Sequence, residues 1–126
     1  MTTRPFEFTG RIRSFRHAFV GIWTMLKSQQ NAWVHACATI AAVLAGLLLD
    51  VSPAEWCWLT LAVMAVWTAE ALNTAFEFLA DVVSPEFHPA VKQSKDVAAG
   101  AVLISAIGSV VIGLLVLGPH VMERLT

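Results

Sequence analysis

The sequence predicts an all-α membrane protein, in which an N-terminal amphipathic surface helix is followed by three transmembrane helices. Two observations predict this class. Of the 126 residues, 57% are hydrophobic and 13% are charged, whereas soluble domains are roughly 45–50% apolar and about 25% charged. The apolar residues also form three blocks, each near the ~20 residues that a helix needs to cross a bilayer. A disordered chain is therefore excluded, a soluble globular domain is disfavoured, and one membrane domain over residues 1–126 is expected.

The first element is an amphipathic helix over residues 11–30. Apolar residues recur there at spacings of three and four, and basic residues lie between them, which is typical of a helix in the membrane interface. A helix that packs on a soluble core has the same pattern and stays open as an alternative. The apolar positions are Ile12, Phe15, Phe19, Ile22, Trp23 and Leu26, and the basic positions are Arg11, Arg13, Arg16 and Lys27.

The three spans are expected at about residues 32–49, 56–80 and 96–118. Ser52 and Pro53 are typical of the cap and first residue of a helix, so the second span begins there. The two prolines in residues 84–89 end that helix, since proline cannot continue one. Small residues repeat every four positions along the third span, which favours close helix packing in a bundle and in an oligomer. Small residues that face the lipid stay open as the alternative. The repeating residues are Ala101, Ser105, Ser109 and Gly113.

The positions of Lys and Arg predict the orientation in the membrane. Lys92 and Lys95 lie between the second and third spans, none lies in residues 50–55, and only Arg124 follows the third span. Because Lys and Arg concentrate in cytoplasmic loops, the N-terminus and residues 81–96 are expected to be cytoplasmic. The net charge of −1 disfavours a nucleic-acid partner. The cations before the first span are Arg4, Arg11, Arg13, Arg16 and Lys27.

The second span carries a polar face inside the membrane. Charges there are costly and usually functional, and neighbouring carboxylates need a cation or a proton to offset their repulsion. With the nearby lysines, this face is suited to Mg²⁺ and a triphosphate. Three interpretations stay open: phosphoryl transfer, an ion or proton path, and a structural polar seam. The face consists of Glu70, Asn73, Thr74, Glu77 and Asp81.

Three segments resemble the small prokaryotic diacylglycerol kinase family. They are EALNTAFE at residues 70–77, SPEFHP at residues 84–89 and KDVAAGAVL at residues 95–103. The resemblance covers residues 11–118, and the last two segments are more similar to the undecaprenol kinase branch than to the diacylglycerol branch.

This resemblance implies a lipid kinase of the bacterial inner (plasma) membrane, with its active site on the cytoplasmic side. It would transfer the γ-phosphate of ATP, with Mg²⁺, to the hydroxyl of a lipid alcohol. Undecaprenol, giving undecaprenyl phosphate, is the first candidate, and diacylglycerol, giving phosphatidic acid, is the second. The family resemblance also implies a homotrimer with sites shared between subunits. A non-catalytic, cation-binding membrane bundle is the alternative from another class.

The resemblance also implies roles for individual residues. Glu70 would be the general base for the lipid hydroxyl, Glu77 would be a ligand of Mg²⁺, and Asn73 would lie beside the transferred phosphate. The other positions that match nucleotide-contacting residues are His17, Asp81, Glu86, Phe87, His88, Lys95 and Asp96.

One position departs from the family pattern. Residue 29 is Gln29, where well-known members carry a second metal-binding glutamate. A glutamine carbonyl can bind Mg²⁺ but supplies no charge, so weaker metal binding is expected unless other groups compensate. His35, in the first span, is expected to be either a hydrogen-bonding residue of the bundle core or a lipid headgroup contact.

Overall fold

A computed structural model describes residues 8–126 as four helices, with no strand in that range. They are α1 (Phe8–Ser28), α2 (Gln30–Leu48), α3 (Pro53–Val83) and α4 (Pro89–Leu125). The last three are long and apolar enough to cross a membrane. The predicted all-α class with three span-length helices is therefore confirmed. Arg4, one of the predicted N-terminal cations, lies outside the described residues.

A single non-helical residue, Gln29, separates α1 from α2. Its backbone is extended (φ −110°, ψ 119°), so the α-helix cannot continue through it. Its N–H still donates to the Met25 carbonyl at 3.0 Å and completes the last turn of α1. The Gln29 side chain makes no capping hydrogen bond to α2, which leaves its amide available to another helix.

The turn from α2 to α3 depends on a close contact between Gly46 and Trp56. A Cβ atom on Gly46 would lie 2.7 Å from Cη2 of the Trp56 ring, so only glycine fits without a shift. The Val51 N–H donates to the Gly46 carbonyl at 3.2 Å, which is the longer bond of a Schellman motif. Asp50 adopts the left-handed conformation (φ 55°) that this motif requires.

The start of α3 is fixed by a capping box, as the Ser52–Pro53 pair predicts. The Glu55 N–H donates to the Ser52 hydroxyl, and the Glu55 carboxylate accepts from the Ser52 N–H at 2.7 Å. The same carboxylate lies 2.8 Å from Nε2 of His120 on α4. This contact ties the first turn of α3 to the last part of α4.

The main packing in the molecule is between α3 and α4. Its apolar core contains Val51, Leu59 and Val116. The Ser109 hydroxyl donates to the Ala62 carbonyl at 2.8 Å, so the small-residue repeat of α4 faces α3 at this point. One third of the apolar, membrane-spanning stretch of α3 is buried within the bundle, whereas only 11% of the corresponding stretches of α2 and α4 is buried. Most of the apolar surface of α2 and α4 therefore faces outward.

The topology places three helix ends together. The helices α2, α3 and α4 pack side by side, so the start of α2, the end of α3 and the start of α4 lie at one end of the bundle. We call this the site end, and the opposite end, with Ser52 and His120, the far end. The predicted functional residues at the site end come from the junction of α1 with α2, from α3, from the α3–α4 connection and from α4.

Candidate functional site

The centre of the candidate site is a hydrogen-bonded group of Gln29, Asn73 and Glu77. The Gln29 Nε2 atom donates to Glu77 Oε2 at 2.7 Å, and Asn73 Nδ2 donates to Glu77 Oε1 at 3.4 Å. Gln29 reaches Glu77 because the helix break directs its side chain toward α3. Both oxygens of the Glu77 carboxylate are thus paired by amide groups, and the residue is only partly buried.

Glu70 lies about two helical turns deeper along α3 than Glu77. It is fully buried, with 0% of its surface exposed. Neither of its carboxylate oxygens has a hydrogen-bond partner within the described residues. The Nε2 atom of His35 on α2 lies 3.6 Å from Glu70 Oε2. A buried carboxylate without a close partner is costly and is most often kept for function.

Two ion pairs surround the site end. Lys95 on α4 pairs with Asp81 on α3 at 2.5 Å and joins the two helices. Lys92 pairs with Asp96 within α4 at 2.6 Å. The Asp81 and Asp96 carboxylates and the Lys92 ammonium are largely exposed, so a soluble, charged ligand can reach all three of them.

The other predicted nucleotide-contacting residues are exposed. Glu86, Phe87 and His88 lie in the connection from α3 to α4. His88 caps α4, because its Nδ1 accepts from the Ala90 N–H at 3.2 Å. The Ser84 hydroxyl donates to the Glu86 carbonyl and shapes the connection. His17 lies on α1 and is not brought into contact with the central group of Gln29, Asn73 and Glu77.

An apolar groove of about 590 Å³ runs along α3 and α4 beside the site. Asn73 is the polar residue at its site end, and Thr68 lies farther along it. The remaining lining residues are apolar. This groove is open to the outside of the bundle, where a hydrocarbon chain can enter from the membrane. Its lining includes Leu61, Met64, Leu72, Phe76, Ala98 and Ala101.

The oxygen atoms of the site suit a cation that is shared with phosphate. Within residues 8–126, no three His, Cys, Asp or Glu side chains form a metal-binding group by themselves. The site does offer the Glu77 carboxylate, and the buried Oδ1 of Asn73 lacks a hydrogen-bond partner. Mg²⁺ commonly takes one or two carboxylates and completes its shell with phosphate and water. The residues present therefore fit Mg²⁺ in a complex with a polyphosphate.

Sequence reasoning placed Glu70, Asn73 and Glu77 on one helical face, and the structure places Asn73 against Glu77. It missed the contact between His35 and Glu70, which are 35 positions apart in the chain. Hydrophobic periodicity gives the face of a helix but not the register between two helices. The sequence did offer one signal. His35 lies within a stretch without Asp, Glu, Lys or Arg, and Glu70 lies at the end of another such stretch.

Comparisons with known proteins agree on one family. The profile of the prokaryotic diacylglycerol kinase family matches residues 16–117. An undecaprenol kinase of Bacillus subtilis is 39% identical over 113 residues, which cover 90% of this chain and 92% of that protein. A diacylglycerol kinase of Synechocystis is 37% identical over 101 residues, covering 79% of this chain and 58% of that protein. A diacylglycerol kinase of Escherichia coli K12 is 31% identical over 120 residues, covering 95% and 98% of the two chains.

Proposed function

This chain belongs to the prokaryotic diacylglycerol kinase family and is a membrane lipid kinase, and we propose that it phosphorylates undecaprenol with ATP to give undecaprenyl phosphate. The observation that carries the proposal is the fully buried Glu70 carboxylate, which has no hydrogen-bond partner among residues 8–126 and lies below a polar group at the site end. A base at this depth suits a hydroxyl that arrives within the membrane. The 39% identity to an undecaprenol kinase supports the choice of lipid.

In the proposed mechanism, Glu70 is the general base. It removes the proton of the lipid hydroxyl while the hydroxyl oxygen attacks the γ-phosphorus of ATP. The bond from that phosphorus to the β-phosphate oxygen breaks, and ADP leaves. Phosphoryl transfer needs mainly positioning and charge neutralisation, and a base within hydrogen-bond reach of the hydroxyl contributes further. The apolar groove that Asn73 helps to line is a suitable place for the lipid chain.

Glu77 and the Gln29 carbonyl are the proposed protein ligands of Mg²⁺. The Gln29 amide nitrogen donates a hydrogen bond to Glu77. If the amide group flips, its oxygen takes the place of the nitrogen and becomes available to bind Mg²⁺. Bound Mg²⁺ would supply neutralisation of the charge on the ATP phosphates. Asn73 donates from its amide nitrogen to Glu77. Its buried Oδ1 has no hydrogen-bond partner among the described residues and is the atom we expect beside the transferred phosphate.

The proposed ATP site uses the exposed charges of the site end. Lys95 would move from Asp81 to a phosphate oxygen, since lysine binds phosphate as a compact positive charge. Exposed ion pairs contribute little stability, so this exchange is not costly. The nucleotide would also contact residues of the α3–α4 connection and of α1. These are His17, Asp81, Glu86, Phe87, His88 and Asp96.

The proposed assembly is a homotrimer in the bacterial inner membrane, with its N-terminus and site end cytoplasmic and each site completed by a neighbouring subunit. Only 11% of the apolar, membrane-spanning stretches of α2 and α4 is buried, which leaves surface for contacts with helices of neighbouring subunits. The single chain, residues 1–126, is taken as one kinase domain. The lysines and arginines that gather at the site end support the orientation.

Diacylglycerol is the second candidate substrate, because diacylglycerol kinases of 37% and 31% identity cover most of this chain. The test is transfer from labelled Mg-ATP to undecaprenol and to diacylglycerol in parallel, with purified protein in detergent. We expect transfer to undecaprenol to be at least about tenfold faster. Faster transfer to diacylglycerol would replace the first candidate with the second.

The same assay tests the general base. Glu70→Gln should lower kcat by at least about 100-fold, since general bases contribute roughly 10²- to 10⁴-fold, while ATP affinity stays near the unsubstituted value. Glu123→Gln is the matched control, because Glu123 is an exposed carboxylate near the C-terminus. Substantial turnover by Glu70→Gln would show that Glu70 is not the base.

A further inference from the structure

His35 is the one polar side chain of α2 that lies against Glu70. Its Nε2 atom is 3.6 Å from Glu70 Oε2, and the side chains are 13% and 0% exposed. Both of these atoms are buried without a hydrogen-bond partner within the described residues. Each group can therefore serve as a partner of the other, although the distance between them is slightly longer than a hydrogen bond.

A second contact one helical turn away holds this pair in register. The Trp67 Nε1–H on α3 donates to the Thr39 hydroxyl on α2 at 3.0 Å. The Trp67 ring also contacts the His35 ring edge-to-face, with centroids 6.4 Å apart and an angle of 71°. Thr39 follows His35 by four residues and Trp67 precedes Glu70 by three, so each helix presents both partners on one face. The Trp67–Thr39 bond therefore fixes the imidazole opposite the carboxylate.

Asn73 and His35 lie on different sides of Glu70. Asn73 lines the groove between α3 and α4, whereas His35 lines a separate groove with Val34, Thr39 and Ser109. Glu70 is fully buried and lines neither groove, so in the proposed function a lipid hydroxyl would approach its carboxylate from the Asn73 side as that groove opens. The opposite face is then held by the imidazole, and the two roles do not compete.

We propose that His35 is a positioning residue for the general base. Its Nε2–H donates to Glu70 Oε2 in the working complex and directs Oε1 toward the lipid hydroxyl. Catalytic hydrogen bonds are often long before substrate binds and shorten in the substrate complex, which accounts for the 3.6 Å separation. This inference rests on the proposed function, in which Glu70 is the base.

The experiment measures kcat and KM for Mg-ATP and for undecaprenol in His35→Leu and His35→Gln. Leucine fills similar space but cannot donate, so kcat should fall about 10- to 100-fold, as misplaced catalytic groups do, with KM for Mg-ATP within about twofold. The glutamine amide can donate to Glu70 and should restore at least about threefold of the lost kcat.

The control is His120→Leu. His120 also pairs with a glutamate, Glu55 at 2.8 Å, but at the far end of the molecule. This variant should keep kcat within about twofold of the unsubstituted enzyme while losing the same kind of contact. A loss of kcat equal to that of His35→Leu would show that any histidine–glutamate tie has this effect, and would overturn the positioning role.

Three results with the His35 variants also contradict the inference. They are unchanged kcat in His35→Leu, no recovery in His35→Gln, and parallel losses of kcat and ATP affinity. If His35→Leu does not fold, Trp67→Phe replaces it. Phenylalanine keeps an aromatic ring at this position but has no N–H to donate a hydrogen bond to Thr39. The kcat of this variant should fall at unchanged KM for Mg-ATP, and unchanged kcat would contradict the inference. Turnover by Glu70→Gln separately identifies failure of the proposed base itself.

Discussion

Gln29 changes the electrostatics around Glu77 at the centre of the site. Two carboxylates at these positions would repel each other in the absence of a cation. The Gln29 amide instead donates a hydrogen bond of 2.7 Å to Glu77, and Asn73 donates to the other oxygen. The Glu77 carboxylate is therefore paired with two amide groups. With glutamine at position 29, the site presents one negative charge fewer to Mg²⁺ than it would with glutamate there.

Gln29→Glu should increase the affinity for Mg²⁺. The added carboxylate supplies a second charged oxygen ligand, so the Mg²⁺ concentration for half-maximal activity should fall about threefold to tenfold. Gln30→Glu is the matched control, because Gln30 is the next residue and is exposed. The measurement is activity against Mg²⁺ at fixed ATP. An equal shift in both variants would mean that general surface charge, rather than ligation, causes the effect.

At the residue scale, the sequence predicts which side chains share the face of one helix but not which side chains meet between two helices. The spacing of Asn73 and Glu77 along α3 predicts their shared face, and they contact each other. The pairing of His35 with Glu70 depends on the position of α2 along the axis of α3. Tertiary contacts such as that of Gly46 with Trp56 fix this position, and sequence periodicity does not specify it.

Among the elements, the turn from α2 to α3 controls this register. The Trp56 ring sits on Gly46, the Val51 N–H closes the end of α2, and the Ser52–Glu55 box begins α3. These contacts are local and close to one another. They set the starting point of α3, from which its side chains meet α2 at Thr39 and then at His35.

Gly46→Ala should destabilise the protein. The new methyl group would lie 2.7 Å from the Trp56 ring, and such overpacking typically costs about 1–3 kcal/mol. Gly108→Ala is the control, since no atom lies within 4 Å of a Cβ at that position. Thermal unfolding in detergent gives the comparison. Adding Trp56→Leu to Gly46→Ala should reduce the extra cost, and strictly additive effects would contradict the steric explanation.

Sequence hydropathy located the elements better than it located their ends. The expected second span covers residues 56–80, and α3 extends from Pro53 to Val83. The expected third span covers residues 96–118, and α4 extends from Pro89 to Leu125. Hydropathy marks the apolar stretch that matches the bilayer, whereas caps such as Ser52 and His88 begin the helices outside that stretch.

On the scale of the whole molecule, charge separates the two ends of the bundle. Most described cations belong to α1 or the start of α4, near the site end, and Arg124 lies at the far end. The far end instead has Asp50 and the Glu55–His120 pair. This asymmetry was visible in the sequence because it depends only on which loop holds each charge. The proposed assembly into a trimer cannot be predicted in this way, since it depends on how exposed helix faces match.

The orientation can be tested with single cysteines at the two ends. In a variant without Cys37 and Cys57, Ala54→Cys at the far end should react with an impermeant maleimide added to intact spheroplasts. Gln93→Cys at the site end should react only after the membrane is opened. Both positions are exposed in the structure, and cations favour the cytoplasmic side. The opposite pattern would place the site outside the cytoplasm.

Polar contacts between α3 and α4 lie near both ends of this helix pair and hold the two helices together. Glu55–His120 and Asp81–Lys95 hold them together at points 26 residues apart on α3, about 39 Å along the axis. By contrast, α1 has few contacts with the other helices and meets α2 at one extended residue, Gln29. Gln29 therefore both joins α1 to α2 and contacts Glu77. A change in the angle between α1 and α2 would be passed on to the carboxylate at the centre of the site.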